Sequence, residues 1–286
     1  MDEESLLKSA DVARLLRVHP KQIYRLMARG LPAHRVGGEW RFSRDEVLAW
    51  SGAPNPARGA AQPAAVAPPP LLAANGDLVV EVLLARLLAE GKPPVGLVPS
   101  DRGRALDGLA AGRFLLAGFH GEVPPSHAGK ARLARIHLVT RDVGLAFRRG
   151  ARVRSIADLA RRRVGLRPPT AGIRAHFDRA LGEARTTLAK LRVRATVFES
   201  HRDAVCAVVR GDVDAALATA AWAERVGLSL LPLAREPYDL LLHAEHLGTP
   251  ACVGVCEVSQ GRAFRSALEK IAGYDAARAG EIRYER

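Results

Sequence analysis

The sequence predicts an α/β protein in two folded parts, on three observations. Residues 8–50 alternate short amphipathic helices with a tight basic hairpin. Residues 53–75, APNPARGAAQPAAVAPPPLLAAN, are Ala/Pro-rich, nearly uncharged and without stable periodicity. From about Leu71 onward, short apolar strand-like runs alternate with amphipathic helices, the pattern of a parallel, doubly covered sheet.

In the first part, Ser9 stands where it can cap a helix carrying Val12, Leu15 and Leu16 at helical spacing. Val18-His19 makes a turn. Pro20 suits the first position of a second helix, where a missing N–H costs nothing. That helix places Ile23, Leu26 and Met27 on one face and ends at Gly30. His34 to Phe42 alternates around Gly37-Gly38 as a hairpin. Ser43 caps a third helix through Trp50, with Glu46 placed to close a capping box.

Helix, turn, helix, basic hairpin, helix is the layout of a winged helix-turn-helix. The stretch, with its VGGEWRF wing, resembles the excisionase/MerR-type DNA-binding domain. The resemblance implies that the second helix enters the major groove and the hairpin touches the backbone. It would aim His19, Lys21, Gln22, Tyr24 and Arg25 at bases or phosphates, and hold the wing to phosphates through Arg35 and Arg41. Lys and Arg neutralise phosphates and Gln can read adenine; the same residues also suit a solvated helix face. Trp40 is expected to anchor the wing to the helices as part of the core.

With 286 residues the chain is too long for one winged helix and suits two or three lobes. Aromatic residues make up 5%, so the cores rest on Leu, Val and Ala. The start Asp2-Glu3-Glu4 is acidic where a secretory signal needs positive charge, and no uncharged apolar run approaches the ~18 residues of a membrane span. Cys206, Cys252 and Cys256 make no disulfide framework; the last two fall in a strand-like run, ACVGVCEV, and read as reduced core cysteines rather than metal ligands. A cytoplasmic protein without metal or cofactor is expected.

The net charge is +13. Residues 1–52 hold nine Lys/Arg and seven Asp/Glu, a net of +2, whereas residues 129–167 hold twelve and two, a net of +10. The positive field therefore belongs to the second part. A further DNA-facing surface, attraction of an anionic ligand and plain solvated arginines all remain open.

In that second part, four loops each offer a hydroxyl and free amides just before a helix: Ser100-Asp101, Thr170-Ala171-Gly172, Glu199-Ser200-His201 and Thr219. In open α/β sheets ligands bind at such places, at the carboxyl ends of strands. One such loop is a routine cap; four converging loops would make a site.

Residues 71–286 resemble the type II periplasmic-binding-protein-like domain, including molybdate-binding proteins and LysR-type effector domains. The resemblance rests on the Ser100-Asp101 loop, AGFHG with His120, DVGLAFRRG…SIADLARRRVGLR, the block from Phe198 to Leu242, and Gly273-Tyr274-Asp275. Where the family commonly carries Asn-Arg-Gln and then Gly-Ser-Gly-Thr-Arg, this chain has Arg167-Pro168-Pro169-Thr170-Ala171-Gly172-Ile173-Arg174, stiffened by two prolines that remove donors. The resemblance implies two α/β lobes, 76–140 with 238–286 and 146–232, behind a 1–52 winged helix-turn-helix and a 53–75 linker. It implies crossovers near 141–146 and 233–242 and a ligand in the interlobe cleft. Candidate ligand residues are Ser100, Asp101, His120, Arg167, Thr170, Gly172, Arg174, Ser200, His201, Thr219 and Tyr238. Arg167 and Arg174 would supply charge to an anion, while Glu199 would oppose one unless paired, which keeps an amphoteric or neutral ligand open.

The leading expectation is a homodimeric, ligand-responsive transcriptional regulator that binds double-stranded DNA and senses a small anion or metabolite, with molybdate- or tungstate-like species as candidates. The alternative is an excisionase-like factor that bends DNA and docks proteins through its large domain. An enzyme is not expected, since no nucleophile elbow, P-loop, dinucleotide fingerprint or metal-spaced cluster is present.

Overall fold

The computed structural model describes residues 6–16, 18–27, 30–36, 39–52, 67–121, 123, 124, 127 and 132–285. Two compact units are separated at Val66/Ala67.

The first unit comprises α1 (Ser9–Leu15), α2 (Pro20–Met27), β1 (His34–Val36), β2 (Glu39–Arg41) and α3 (Arg44–Gly52). Val12, Ala13, Ile23, Leu31, Phe42 and Val47 form its buried centre, with Trp50 packed against it. Pro20 opens α2 as expected, and Gly30 takes a φ of 91° just beyond it, a conformation that spares glycine the Cβ clash. Ser9 is not the cap: Lys8 holds that position, and the Asp11 carboxylate accepts its amide at 3.0 Å. β1 and β2 pair Val36 with Glu39, leaving two residues between them; the expected Gly37-Gly38 turn lies outside the described residues. Glu46 reaches back to the His34 ring at 2.6 Å.

Trp40 corrects the expectation of a core anchor: it is 37% exposed. Phe42, just past the end of β2, is the buried aromatic instead: it is fully buried and backbone-paired with Leu7.

The second unit carries a ten-stranded sheet among the described residues. β3 (Leu71–Ala74), β4 (Gly96–Pro99) and β5 (Leu116–Phe119) form one parallel set, in the order β4-β3-β5. β7 (Arg163–Leu166), β8 (Arg194–Val197) and β9 (Ala215–Thr219) form another, in the order β9-β7-β8. Between them run β6 (Leu133–Arg148) and β10 (Leu228–His243), each 16 residues long, paired antiparallel along their length. The sheet is thus mixed rather than wholly parallel, because the two segments crossing between the halves run in opposite directions. β10 is one strand with irregularities in its pairing near Pro232 and Tyr238. β11 (Tyr274–Asp275) and β12 (Ile282–Glu285) add to the free edge of β6. β3 lies inside the sheet, so the stretch expected to be linker up to residue 75 already contributes a strand.

β6 pairs with β11 and β12 up to Arg141 and with β9 from Val143, so it passes between halves within the expected crossover. α4 (Leu78–Ala89), α5 (Arg102–Ala110), α9 (Pro250–Gln260) and α10 (Arg262–Leu268) cover the first half. α6 (Gly172–Glu183), α7 (His201–Arg210) and α8 (Ala220–Arg225) cover the second. Cys252 and Cys256 stand on α9, not on a strand. Pro250 at its first position and their i,i+4 spacing are helical signals. None of the three cysteines forms a disulfide among the described residues.

Candidate functional site

The loops after β3, β4, β5 and β7 and the start of α7 meet around one small pocket. Asn75, Asp101, Arg102, His120, Arg141, Arg167, Ala171, Gly172, Ile173 and His201 line it. Its walls come from both halves of the sheet, at the carboxyl ends of the parallel strands, where helix N-termini point inward.

Each helix start is built differently. Asp101 caps α5, accepting the Arg104 amide at 3.1 Å. Ser200 caps α7, accepting the Asp203 amide at 3.0 Å. α6 has no side-chain cap, so its first turn presents Gly172 and Ile173 to the pocket with their helix-terminal amides unclaimed by a side chain. His120, beyond β5, packs across onto Gly172; a Cβ there would lie 1.8 Å from the ring's Cε1.

A buried charge network supports the pocket from below. The Arg141 guanidinium bonds Asp77 at 2.5 Å and Glu236 at 2.6 Å, and lies over the Tyr238 ring at 4.3 Å. Asp77 caps α4 through the Val79 amide and accepts the Tyr274 hydroxyl. Glu236 also bonds His176 of α6 at 2.9 Å and lies 3.7 Å from His120. One guanidinium is therefore shared by two buried carboxylates, and such pairing is the condition for burying charge. Burial pushes the Glu236 carboxyl up, but Arg141 and His176 outweigh it and hold it well below the usual carboxylate range. For Arg141, burial alone would lower the value, and Asp77 and Glu236 reverse that.

Two lining groups are less complete. Arg167 is 1% exposed; it donates to the Phe198 carbonyl at 2.5 Å, but its Nε has no hydrogen-bond partner among the described residues. Burial, partly offset by Glu199 and Asp101, lowers it to about 10, leaving it a cation at neutral pH. His201 is also 1% exposed, with Nδ1 unpartnered. Burial, then Arg167 and Arg141, push it well below the ordinary value. His120 is pushed down to about 4, by burial first, with Glu236 opposing. Both imidazoles are neutral at pH 7.

Of the residues expected at the ligand, Asp101, His120, Arg167, Gly172 and His201 line this pocket. The other six do not. Ser100 gives its amide to Ala74. Thr170 is exposed on the rim near Gly103. Arg174 pairs with Asp178 at 2.9 Å. Ser200 and Thr219 are helix caps. Tyr238 is fully buried against Arg141, its hydroxyl occupying the space that a Cβ on Gly118 would need. Sequence reasoning missed Asn75, Arg102 and Arg141 in the lining, and Asp77, Glu236 and His176 beneath it.

On the first unit, His19, Gln22 and Arg25 are exposed around α2, opposite buried Ile23. Arg41 pairs with Glu39 at 2.6 Å. Lys21 and Tyr24 belong to α2 and Arg35 to β1; where their side chains point lies outside the description. No helix among the described residues is long and apolar enough to cross a membrane. No group of three or more His, Cys, Asp or Glu that could hold a metal ion occurs among them.

Residues 90–260 match the family model of the PBP superfamily domain, and residues 6–51 match that of a helix-turn-helix domain. The first match spans more than half of the chain, which belongs to the PBP superfamily. Among solved structures, the chain is similar to a putative phosphate ABC transporter substrate-binding protein with bound phosphate from Clostridium perfringens, at 13% identity and TM-score 0.54. That match covers 70% of this chain and 97% of the other. It is also similar to the effector binding domain of a BenM variant, at 14% identity and TM-score 0.50, covering 72% of this chain and 97% of the other. At these identities the likeness establishes the fold alone. No curated protein matches the chain. A helix-turn-helix domain followed by a PBP-like domain fits a DNA-binding regulator with a ligand-binding domain.

Proposed function

We propose that the pocket binds a small molecule bearing an oxyanion or carboxylate, and that its occupancy sets the DNA affinity of the first unit. The observation that carries this is the pair Arg167 and His201: both are 1% exposed, both line the pocket, and each keeps a nitrogen without a partner among the described residues. A buried polar atom left unpaired costs about 1–3 kcal/mol; an anion that accepts from Arg167 Nε, and from His201 Nδ1 in the tautomer that carries its proton there, recovers that cost. The uncapped start of α6 adds amides and a favourable dipole for negative charge. Arg141 supplies little net field, because Asp77 and Glu236 already neutralise it.

The role of α2 as the major-groove reader, with Gln22 and Arg25 exposed on it, belongs to the same proposal, as does a homodimer. The test is thermal unfolding of the full chain with phosphate, sulfate, molybdate, tungstate and small carboxylates in turn. At 100 times its Kd a true ligand adds about 2.7 kcal/mol to stability. The reading expects one member to raise Tm in the wild type and not in Arg167→Ala. A panel in which none raises Tm overturns it.

A further inference from the structure

The end of the second half opposite the pocket is dominated by arginine. β7 and β8 run toward the pocket, with Arg167 just beyond β7 and His201 opening α7 shortly after β8. Their amino-terminal ends therefore face away from it. There Arg163 and Arg194 are register partners, the Arg194 amide bonds the Arg162 carbonyl, and the Arg161 amide bonds the Leu191 carbonyl. Arg162 ties the preceding loop into the same surface by donating to the Arg152 carbonyl at 3.3 Å. Val153, with Ala151, Leu191 and Val193 packed around the same core, fixes both loops to it.

Arg149, Arg152, Arg154, Arg161, Arg192 and Arg194 are all exposed on these segments. None of the six forms an ion pair among the described residues, and Asp158, Asp212 and Asp214 on the adjoining segments have partners of their own. Asp158 accepts the Arg154 and Ser155 amides, and Asp214 pairs with Arg163 at 2.6 Å. Arg161 and Arg192 hold φ values of 62° and 55°, a backbone state that glycine or asparagine occupies more cheaply. Charge stands there in spite of the backbone.

We propose that this arginine face is a second contact for the phosphate backbone of duplex DNA. Guanidinium groups suit phosphates through their planar, bidentate donors. Six unpaired cations are more than one small anion can use, but they suit a polyanion with a regular charge spacing. Val197, exposed at the far end of β8, lies away from this face; Val209, exposed near the end of α7 where Arg148 bonds its carbonyl, is one large exposed apolar residue among the described ones there, far short of the apolar face that enters a lipid surface. The choice of DNA as partner rests on the reading of the first unit as a DNA-binding module. That module carries a net charge of only +2 in residues 1–52, so further phosphate contacts would add most of the electrostatic affinity.

The test uses the full chain and a random-sequence 30-bp duplex, with affinity measured across a series of salt concentrations. Each phosphate contact contributes about 0.9 to the slope of log affinity against log salt. The variant Arg152→Gln/Arg154→Gln/Arg161→Gln is expected to flatten that slope by about 2 to 3 and to weaken binding at low salt by about tenfold or more. Arg192→Gln/Arg194→Gln, on the other loop and strand, is expected to do the same to a smaller extent. Preference for a sequence selected by the wild type from a random library should stay unchanged in both, and should fall in Arg25→Ala. An unchanged slope in both arginine variants overturns the proposal. So does a loss confined to binding of phosphatidylglycerol vesicles, which would assign the face to a lipid surface. If Arg25→Ala leaves sequence preference intact while the arginine variants flatten the slope, the reading of α2 fails and the second contact stands.

Discussion

His120 and Gly172 meet across the pocket so closely that a Cβ on Gly172 would lie 1.8 Å from the imidazole Cε1. One residue follows β5 in the first half of the sheet and the other opens α6 in the second, so this contact holds the halves together at the pocket. Gly172→Ala is expected to force them apart, at a cost of about 1–3 kcal/mol from overpacking. Differential scanning calorimetry would show the lower Tm, and binding of whichever anion stabilises the wild type should weaken in parallel. Unchanged Tm would mean that the ring moves aside freely.

Arg141 is expected to be the most costly single truncation in the second unit. Its removal leaves the buried carboxylates of Asp77 and Glu236 facing each other without a cation. Breaking a buried pair in this way costs about 3–5 kcal/mol. In a domain of this size that corresponds to a Tm loss on the order of 10 °C. Arg141→Met, similar in length but uncharged, measured by thermal unfolding, checks this.

Acidification should destabilise the protein before its carboxylates titrate. The folded His120 value, about 4, lies below the ordinary 6.5, so the unfolded chain binds the extra proton between those two pH values. The stability contributed by the neutral, buried ring is complete above about pH 6.5 and is lost as pH falls toward 4. The gap of some 2.5 pH units corresponds to roughly 3 kcal/mol, and His201 acts in the same direction. His120→Asn should flatten the stability profile between pH 6.5 and 4 in urea unfolding. A profile as steep as the wild type's would contradict the assignment.

Arg25→Ala and Gln22→Ala should each weaken binding to a selected DNA sequence by about 1–3 kcal/mol if they read bases. Both side chains are exposed on α2, so Tm should hold within about 0.5 kcal/mol of equivalent stability. Fluorescence anisotropy on selected and scrambled duplexes separates lost base reading from lost phosphate contact.

The local grammar of the chain was legible where a short segment decides its own structure. Pro20, the alternation of the wing and the helix-cap residues before α5, α7 and α8 announced their elements correctly. Local pattern misleads where two aromatics compete for one inward position, as Trp40 of β2 and Phe42 just past it do, or where an apolar run such as that around Cys252 follows a Pro250 that opens a helix. The lining of the pocket was legible only in part. Ser200 and Thr219, hydroxyls expected at a ligand, each accept an amide of the helix they precede. The residues that organise the pocket, Asp77, Arg141 and Glu236, are 64 and 95 positions apart along the chain. A single sequence carries no mark of such a pairing, whereas Arg167 and His201 were visible because they sit beside loops whose position the α/β pattern already fixed.

The central claim is that pocket occupancy and DNA affinity are coupled, and coupling free energies are reciprocal. The most direct measurement is a two-way titration of the full chain: the Kd for a selected duplex with and without a saturating stabilising oxyanion or carboxylate, and the Kd for that anion with and without the duplex. The account predicts that both change by one common factor, typically about 5- to 150-fold, and that Arg167→Ala removes the effect in both directions. An anion that binds the pocket while leaving duplex affinity unchanged would contradict it.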